Sequence, residues 1–373
     1  MRPANIFHLG IKELRSLMRD PVMIVLIVYA FSLAIYSAAT ATPETLHKAP
    51  IAVIDEDRSQ LSTRIRDAFY PPLFSEPKLI SHSEMDSRMD AGLDTFALDF
   101  PPDFQQDVLA GRTPSIQLSV DATRMSQALV GSGYVQSIIS REISDFLHNY
   151  QAVTVPNVDL VLRARFNPNL SRIWFGGAME LINEITMLAV ILTGAALIRE
   201  REHGTVEHLL VMPITPFEIM TGKLWAMTLV VLAASACALF IVIRGALKTP
   251  IEGSIVLFMA GASLDLFATT SLGFFLGTIA RSMPQFGLLA ILVLVPMQIL
   301  SGASSPRESM PKLVQEIMLV APNTHFVMLA QAILFRGAGF STVWPNFAAL
   351  VLIGAILFAI SLGRFRKTIG QMA

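Results

Sequence analysis

The 373 residues are 53% hydrophobic and 15% charged, with a mean hydropathy of +0.55. Soluble domains carry roughly a quarter charged residues, so an ordinary water-soluble globule is excluded. A formal net charge of -1 lacks the basic surplus of a nucleic-acid binder. Cys237, alone of its kind and set in an apolar stretch, leaves neither an intrachain disulfide nor a cysteine-based zinc site.

Residues 1–21 place Ile6, Leu9, Leu14, Leu17 and Met18 among Lys12, Glu13, Arg15 and Arg19. That pattern predicts an amphipathic helix lying along the inner membrane face. A bilayer core of about 30 Å needs roughly 20 apolar residues in a helix. The first such run is Val22 to Ala41, uncharged throughout. Its "ATA" before Pro43 resembles a signal-peptide cleavage site, but the apolar core is too long and the charged lead too extended, so an uncleaved anchor is expected.

Residues 42–172 are far more polar and long enough to bury a small core. "PIAVID" is a short buried strand, and "TFALDF" and "SIQLSV" alternate with period two. "PDFQQDVLAG" predicts a short helix stopped by Gly111, and "SQLSTRIRDAFY" and "YVQSIISREISDFLHNY" two longer ones. The expected product is a compact α/β domain inserted after the first span. Enzyme, ligand sensor and structural cap remain open for it, but no catalytic or calcium-binding motif is present. "VDATRMS" (Val120 to Ser126) reads as a strand end and helix cap.

Five further spans follow: Trp174–Ile198, Leu224–Ile243, Ile255–Ile279, Phe286–Gly302 and Trp344–Gly363. The fifth of the six is short and holds Pro296. Between the last two, Pro311 and Pro322 separate amphipathic pieces at about 311–320 and 324–335, so 303–343 predicts a re-entrant-like segment. His325 reads as a capping-region residue. Arg2, Lys12, Arg15, Arg19, Arg199, Arg201, Lys223, Arg281, Arg364, Arg366 and Lys367 fall on one side. Arg244, Lys248, Arg307, Lys312 and Arg336 fall on the other. Short loops rich in Lys and Arg stay cytoplasmic, so both termini are expected inside and 42–172 in the periplasm. The fold class is thus an α-helical polytopic membrane protein of six transmembrane helices with an inserted α/β periplasmic domain.

Charges within spans default to functional hypotheses. Glu180 and Glu184, with Asn183 beside them, share one face of the second span, Asp265 sits near the middle of the fourth, and Gln298 lies by Pro296. They are either a polar lining for substrate or groups that reach headgroups and neighbouring helices.

The loop 199–223 contains "REREHGTVEHLLVMPITPFE". His203, Glu207 and His208 miss the spacing of the known zinc helices, so no metal is assigned. Gly204 breaks the preceding helix, Thr205 can cap a new one, and Glu207 suits its positive end. Pro213 stops that helix after about two turns, and "TPFE" is a capping box that opens the next. A helix so short, apolar at Val206, Leu209 and Leu210, needs a surface to fold on. Its mixed charge favours a protein over headgroups.

This stretch resembles the cytoplasmic loop of ABC-2 type transporter permeases, a charged run followed by a Gly-Thr-x-Glu-x-Leu-Leu-x-x-Pro-like pattern. Gly204, Thr205, Glu207, Leu209, Leu210 and Pro213 match it, and His208 stands where many relatives carry Gln. "FNPNLSRIWFGG" and "ARSMPQ" are further familiar pieces, and the resemblance runs over the whole chain. It is nearest to bacterial inner-membrane permeases of multidrug-efflux type with a long periplasmic domain. The resemblance implies a coupling helix, with Glu200 and Glu202 in its charged approach, seated on a separate ATPase subunit. It also implies a second permease subunit, identical or closely homologous, and allows a periplasmic adaptor. The chain has no G-x-x-x-x-G-K-[ST], so it cannot cradle ATP phosphates. No cofactor is expected on it; ATP and Mg belong to the ATPase. Competing readings are a membrane receptor with a periplasmic ligand-binding domain and, more weakly, an envelope-assembly scaffold.

Overall fold

The computed structural model describes residues 2–41, 46, 48–121, 125–150, 171–202, 214–304 and 307–370. The chain forms two compact units, one of Met1–Ala41 with Arg163–Ala373 and one of Thr42–Leu162.

The first unit is helical. Helix α1 (Pro3–Met18) buries Gly10, Glu13 and Leu17, a stripe at helical spacing. It packs on the start of α8 (Pro216–Ala246). A Cβ on Gly10 would lie 2.1 Å from the Trp225 ring, so only glycine admits the indole there. Trp225 Nε1 donates to the Ile6 carbonyl at 3.1 Å, and Phe7 stacks on the same ring at 6.0 Å. The amphipathic reading of α1 holds, but the buried stripe meets protein and includes a carboxylate.

Helix α2 (Pro21–Thr40) opens on Asp20, whose side chain accepts from the Val22 and Met23 amides at 3.1 and 3.2 Å. Its turns widen to a π-helix over Ala30–Ala34, as those of α8 do over Leu239–Ala246. Helix α7 (Arg172–Glu202) is the central post: 78% of its apolar window is buried, against 22% for α2 and 17% for α13 (Phe340–Gly370). Helix α9 (Ile255–Ile279) packs between α7 and α13. A Cβ on Gly273 would come 2.5 Å from the Val190 carbonyl oxygen. Close backbone approach through small residues is how helices associate where lipid removes the hydrophobic drive.

Among the described residues, five helices are long and apolar enough to cross a membrane: α2, α7, α8, α9 and α13. The span expected over Phe286–Gly302 is α10 (Met283–Ile299), of 17 residues. At 1.5 Å per residue it reaches about 25 Å, a few ångströms under a core of about 30 Å and at the short end of the range for a spanning helix. Its end is set by sequence: the Leu300 amide closes on Pro296, and Gly302 follows with φ +99. Beyond it, α11 (Lys312–Val320) and α12 (Pro322–Leu334) form the expected broken pair, bent by 97° at Ala321.

The second unit is a four-stranded sheet in the order β2–β1–β3–β4, with β1 Ile51–Asp55, β2 Lys78–Leu79, β3 Phe96–Phe100 and β4 Gln117–Val120. β1 runs parallel to β2 and β3, and β4 is antiparallel to β3. Helices α3 (Gln60–Asp67), α4 (His82–Asp90), α5 (Phe104–Leu109) and α6 (Met125–Tyr150) complete it. One face of the sheet places Ile51, Val53, Phe96, Leu98 and Phe100 in an aromatic-rich core with Phe69, Phe74 and Phe104. The other packs Ala52, Ile54 and Ala97 on Met85. That second cover is α4, which the period-two pattern did not reveal. Helix α5 ends before Gly111, whose φ of +71 suits glycine.

Replacing Gly273 with Ile should cost about 1–3 kcal/mol through overpacking, read as a lower melting temperature of the detergent-solubilised chain. Gly287→Ala, with open space around it, should leave that temperature unchanged or higher. Phe96→Ala, in the fully buried aromatic core, should cost the second unit about 3–5 kcal/mol, read as faster proteolysis within 42–162.

Candidate functional site

The last turn of α7 is "RERE", Arg199 to Glu202, immediately before the loop that carries the motif. Each of its four side chains reaches a different element. Arg199 ion-pairs with Asp20 at the start of α2. Glu200 binds Lys12 of α1 and Lys223 of α8, both at 2.9 Å. Arg201 Nη1 donates to the Ala280 carbonyl beyond α9 at 2.7 Å. Glu202 accepts from the Met283 amide at the start of α10 at 3.0 Å. The run expected as the charged approach to a coupling helix is therefore also an anchor within the helical unit.

Lys223 lies at its centre. It is 1% exposed, and its ammonium lies 2.9 Å from Glu13 Oε1 of α1 and 2.9 Å from Glu200 Oε2 of α7. A buried ammonium is tolerable only when paired and hydrogen-bonded, and two carboxylates from separate helices meet that demand. A second tie is the capping box at the start of α8. Thr215 N donates to Glu218 Oε2 at 2.9 Å and Glu218 N to Thr215 Oγ1 at 3.3 Å. The Arg2 amide then donates to Glu218 Oε1 at 2.7 Å. Burial pushes the Asp20 carboxyl up, but the Met23 amide and the Arg199 guanidinium outweigh it and hold the group below the usual carboxylate range.

Of the loop residues singled out from sequence, Glu200 and Glu202 are anchor members. Gly204, Thr205, Glu207, Leu209, Leu210 and Pro213 lie outside the described residues. The residues on both sides of that segment are fixed to one another through Lys223.

A second constellation is buried within the helices. Thr186 Oγ1 of α7 lies 3.0 Å from Asn323 Oδ1 and 3.4 Å from Asp265 Oδ2. A hydroxyl has one proton, so Thr186 donates to one of them. Gln298 donates to the Asn183 carbonyl at 3.3 Å. Asn183 Oδ1, Glu184 Oε2 and Asp265 Oδ1 are buried without a hydrogen-bond partner. Asp265 is 0% exposed and Glu184 6%, and neither has an ion-pair partner among the described residues. The structure thus brings both Asp265 and Asn323 to Thr186, and Gln298 to Asn183. Glu180 and Glu184 remain a separate pair one turn apart on α7. Surplus acceptors suit a cation or a donor-rich group. Sequence reasoning missed Thr186 and Asn323, one a neutral residue inside a span and the other part of the "PNT" helix start. His325 behaves as expected, its Nε2 donating to the Leu319 carbonyl at 2.9 Å. Among the described residues, no three His, Cys, Asp or Glu side chains gather as a metal cage.

The model of the ABC-2 family transporter proteins matches residues 22–362. Over 369 residues the chain is 63% identical to the inner membrane transport permease YhhJ of Escherichia coli strain K12, covering 99% of each. It is 27% identical over 361 residues to the probable multidrug ABC transporter permease YbhR of that organism, covering 96% of this chain and 97% of the relative. To YbhS, another probable multidrug ABC transporter permease there, it is 26% identical over 335 residues, 88% of each. Match length, identity and the set of apolar helices agree: the chain belongs to the ABC-2 transporter family and is a multi-pass membrane permease.

Proposed function

We propose that this chain is the membrane-spanning subunit of an ATP-driven exporter, moved by a separate ATPase subunit that grips residues 203–213. The observation that carries the reading is the anchor on both sides of that segment. Glu200 before it and Lys223 after it are ion-paired, and Glu13 and Lys12 tie α1 to the same knot. A push on the loop is therefore delivered to α1, α7 and α8 together, and through Arg199, Arg201 and Glu202 to the elements beside them.

In this reading both termini and the loop are cytoplasmic, from the Lys and Arg distribution, and residues 42–172 form a periplasmic domain inserted between the first two spans. ATP and Mg are bound by the ATPase, and two permease subunits complete a pathway that one set of spans leaves half built. A periplasmic adaptor on the outer domain is compatible with this arrangement. Glu180, Asn183, Glu184, Asp265 and Gln298 line the route. Their surplus of acceptor oxygens favours cationic or donor-bearing cargo, in keeping with the multidrug names of two relatives.

Leu209→Asp with Leu210→Asp should abolish transport-coupled ATP hydrolysis, by at least about tenfold, while membrane insertion persists. Transport surviving in the double variant would refute the coupling assignment. Lys223→Ala strands two carboxylates and should cost about 3–5 kcal/mol, seen as a lower melting temperature. The triple change Lys223→Met, Glu13→Gln, Glu200→Gln should recover that stability yet still uncouple ATP hydrolysis from transport.

A further inference from the structure

Phe175 lies near the start of α7, about 25 residues from the anchor, so this end of the unit is roughly 37 Å away along the helix. Beside it is a cavity of about 600 Å³, between the α10–α11 connection, α12 and the start of α13. Arg307 and Arg336 line it, with Gln331 and Asn346 as neutral polar groups. No aspartate or glutamate is among its described lining residues.

Arg307 is held in place by neutral acceptors and has no ion-pair partner among the described residues. Its Nη1 donates to the Met328 thioether at 3.0 Å and its Nη2 to the Gln315 carbonyl at 3.1 Å. Its Nε is buried and has no hydrogen-bond partner. A guanidinium has five N–H donors in a planar fork suited to oxyanions, and a desolvated cation without a counter-ion is costly. Arg336, in the turn after α12, is exposed and forms no ion pair among the described residues. Glu252 approaches the neighbouring Gly337 through its backbone and Cβ but does not pair with Arg336.

The wall is mixed: Phe175, Val327 and Val343 form an apolar part, and Ser301, Ser304, Gln315 and Thr342 are further polar members. Next to the cavity, α11 exposes Leu313 (69%), Ile317 (60%) and Val320 (75%). In a membrane protein such a surface is wetted by acyl chains rather than water. The cavity thus offers guanidinium donors beside an apolar patch, and an exposed apolar helix face adjoins it.

We propose that this cavity binds the oxyanion headgroup of an anionic amphiphile, with Arg307 and Arg336 as its counter-ions and Phe175, Val327 and Val343 against its chain. The site is independent of the ATPase coupling and can be read without nucleotide. Native mass spectrometry of the full chain, released from detergent with dioleoylphosphatidylglycerol or dioleoylphosphatidylcholine, tests it. The anionic lipid should be retained in preference by about tenfold, the value of one charge-assisted contact. Arg336→Gln should remove most of that preference and Arg307→Gln all of it, with Arg307→Lys keeping part. Arg244→Gln, a basic residue outside the cavity, should change nothing. Should Arg307→Gln fail to fold, the exposed Arg336→Gln still decides. Displacement of the lipid by inorganic phosphate would make a free oxyanion sufficient; resistance to it would make the acyl chain part of recognition. Equal retention of the two lipids, or a wild-type preference in Arg336→Gln, would overturn the proposal, as would an Arg244→Gln loss matching that of Arg336→Gln.

Discussion

Burying an ammonium group between helices is the constraint on which the loop end of this protein is organised. Lys223 cannot sit at 1% exposure unless carboxylates come to it, and the two that do belong to different helices. That requirement fixes the rotation of α1 through Glu13 and ties the end of α7 to α8 through Glu200. It also explains why α1 keeps a glutamate in an otherwise apolar stripe. Hydrophobic packing alone would let α1 slide along the membrane or along α8. The ion pairs, with the Gly10–Trp225 fit, give it one register.

The same charge economy separates the ends of the helical unit. At the anchor, Arg199, Glu200, Lys223, Glu13, Lys12 and Asp20 are paired as opposite charges, and Arg201 and Glu202 bond to backbone. In the helix interior, acceptor oxygens on α7 and α9 go unmatched. Near Phe175, the Arg307 Nε goes unmatched. Matched charge serves rigidity, because breaking a pair is expensive. Unmatched groups hold free energy that a ligand can recover, and in a membrane protein they mark where a ligand has business.

The long apolar runs were legible in the sequence because a bilayer imposes a length and a composition that few other environments share. The capping box at Thr215 and the Pro322 break were equally plain, since each depends on local chemistry. The sheet strands with period two emerged where one face was aromatic. Helix α4 and the two-residue β2 did not, because α4 buries little beyond Met85 and a strand so short leaves no period. The anchor was illegible for a different reason. Arg199 to Glu202 look like loop charges one at a time, and only tertiary structure brings Asp20, Lys12, Lys223, Ala280 and Met283 to them. Thr186 and Asn323 were hidden likewise, being ordinary polar residues until the fold brings Asn323 and Asp265 to Thr186.

Helix α10 has a consequence for the surrounding lipid. An apolar cylinder of about 25 Å, set beside full-length helices in a core of about 30 Å, leaves the bilayer too thick on one flank. Lipids there must thin, or the polar turn at Gly302 must be drawn inward, at a cost of a fraction of a kcal/mol for each ångström of mismatch. The broken pair α11–α12 lies next along the chain, so the dimple and the bent helices share a border.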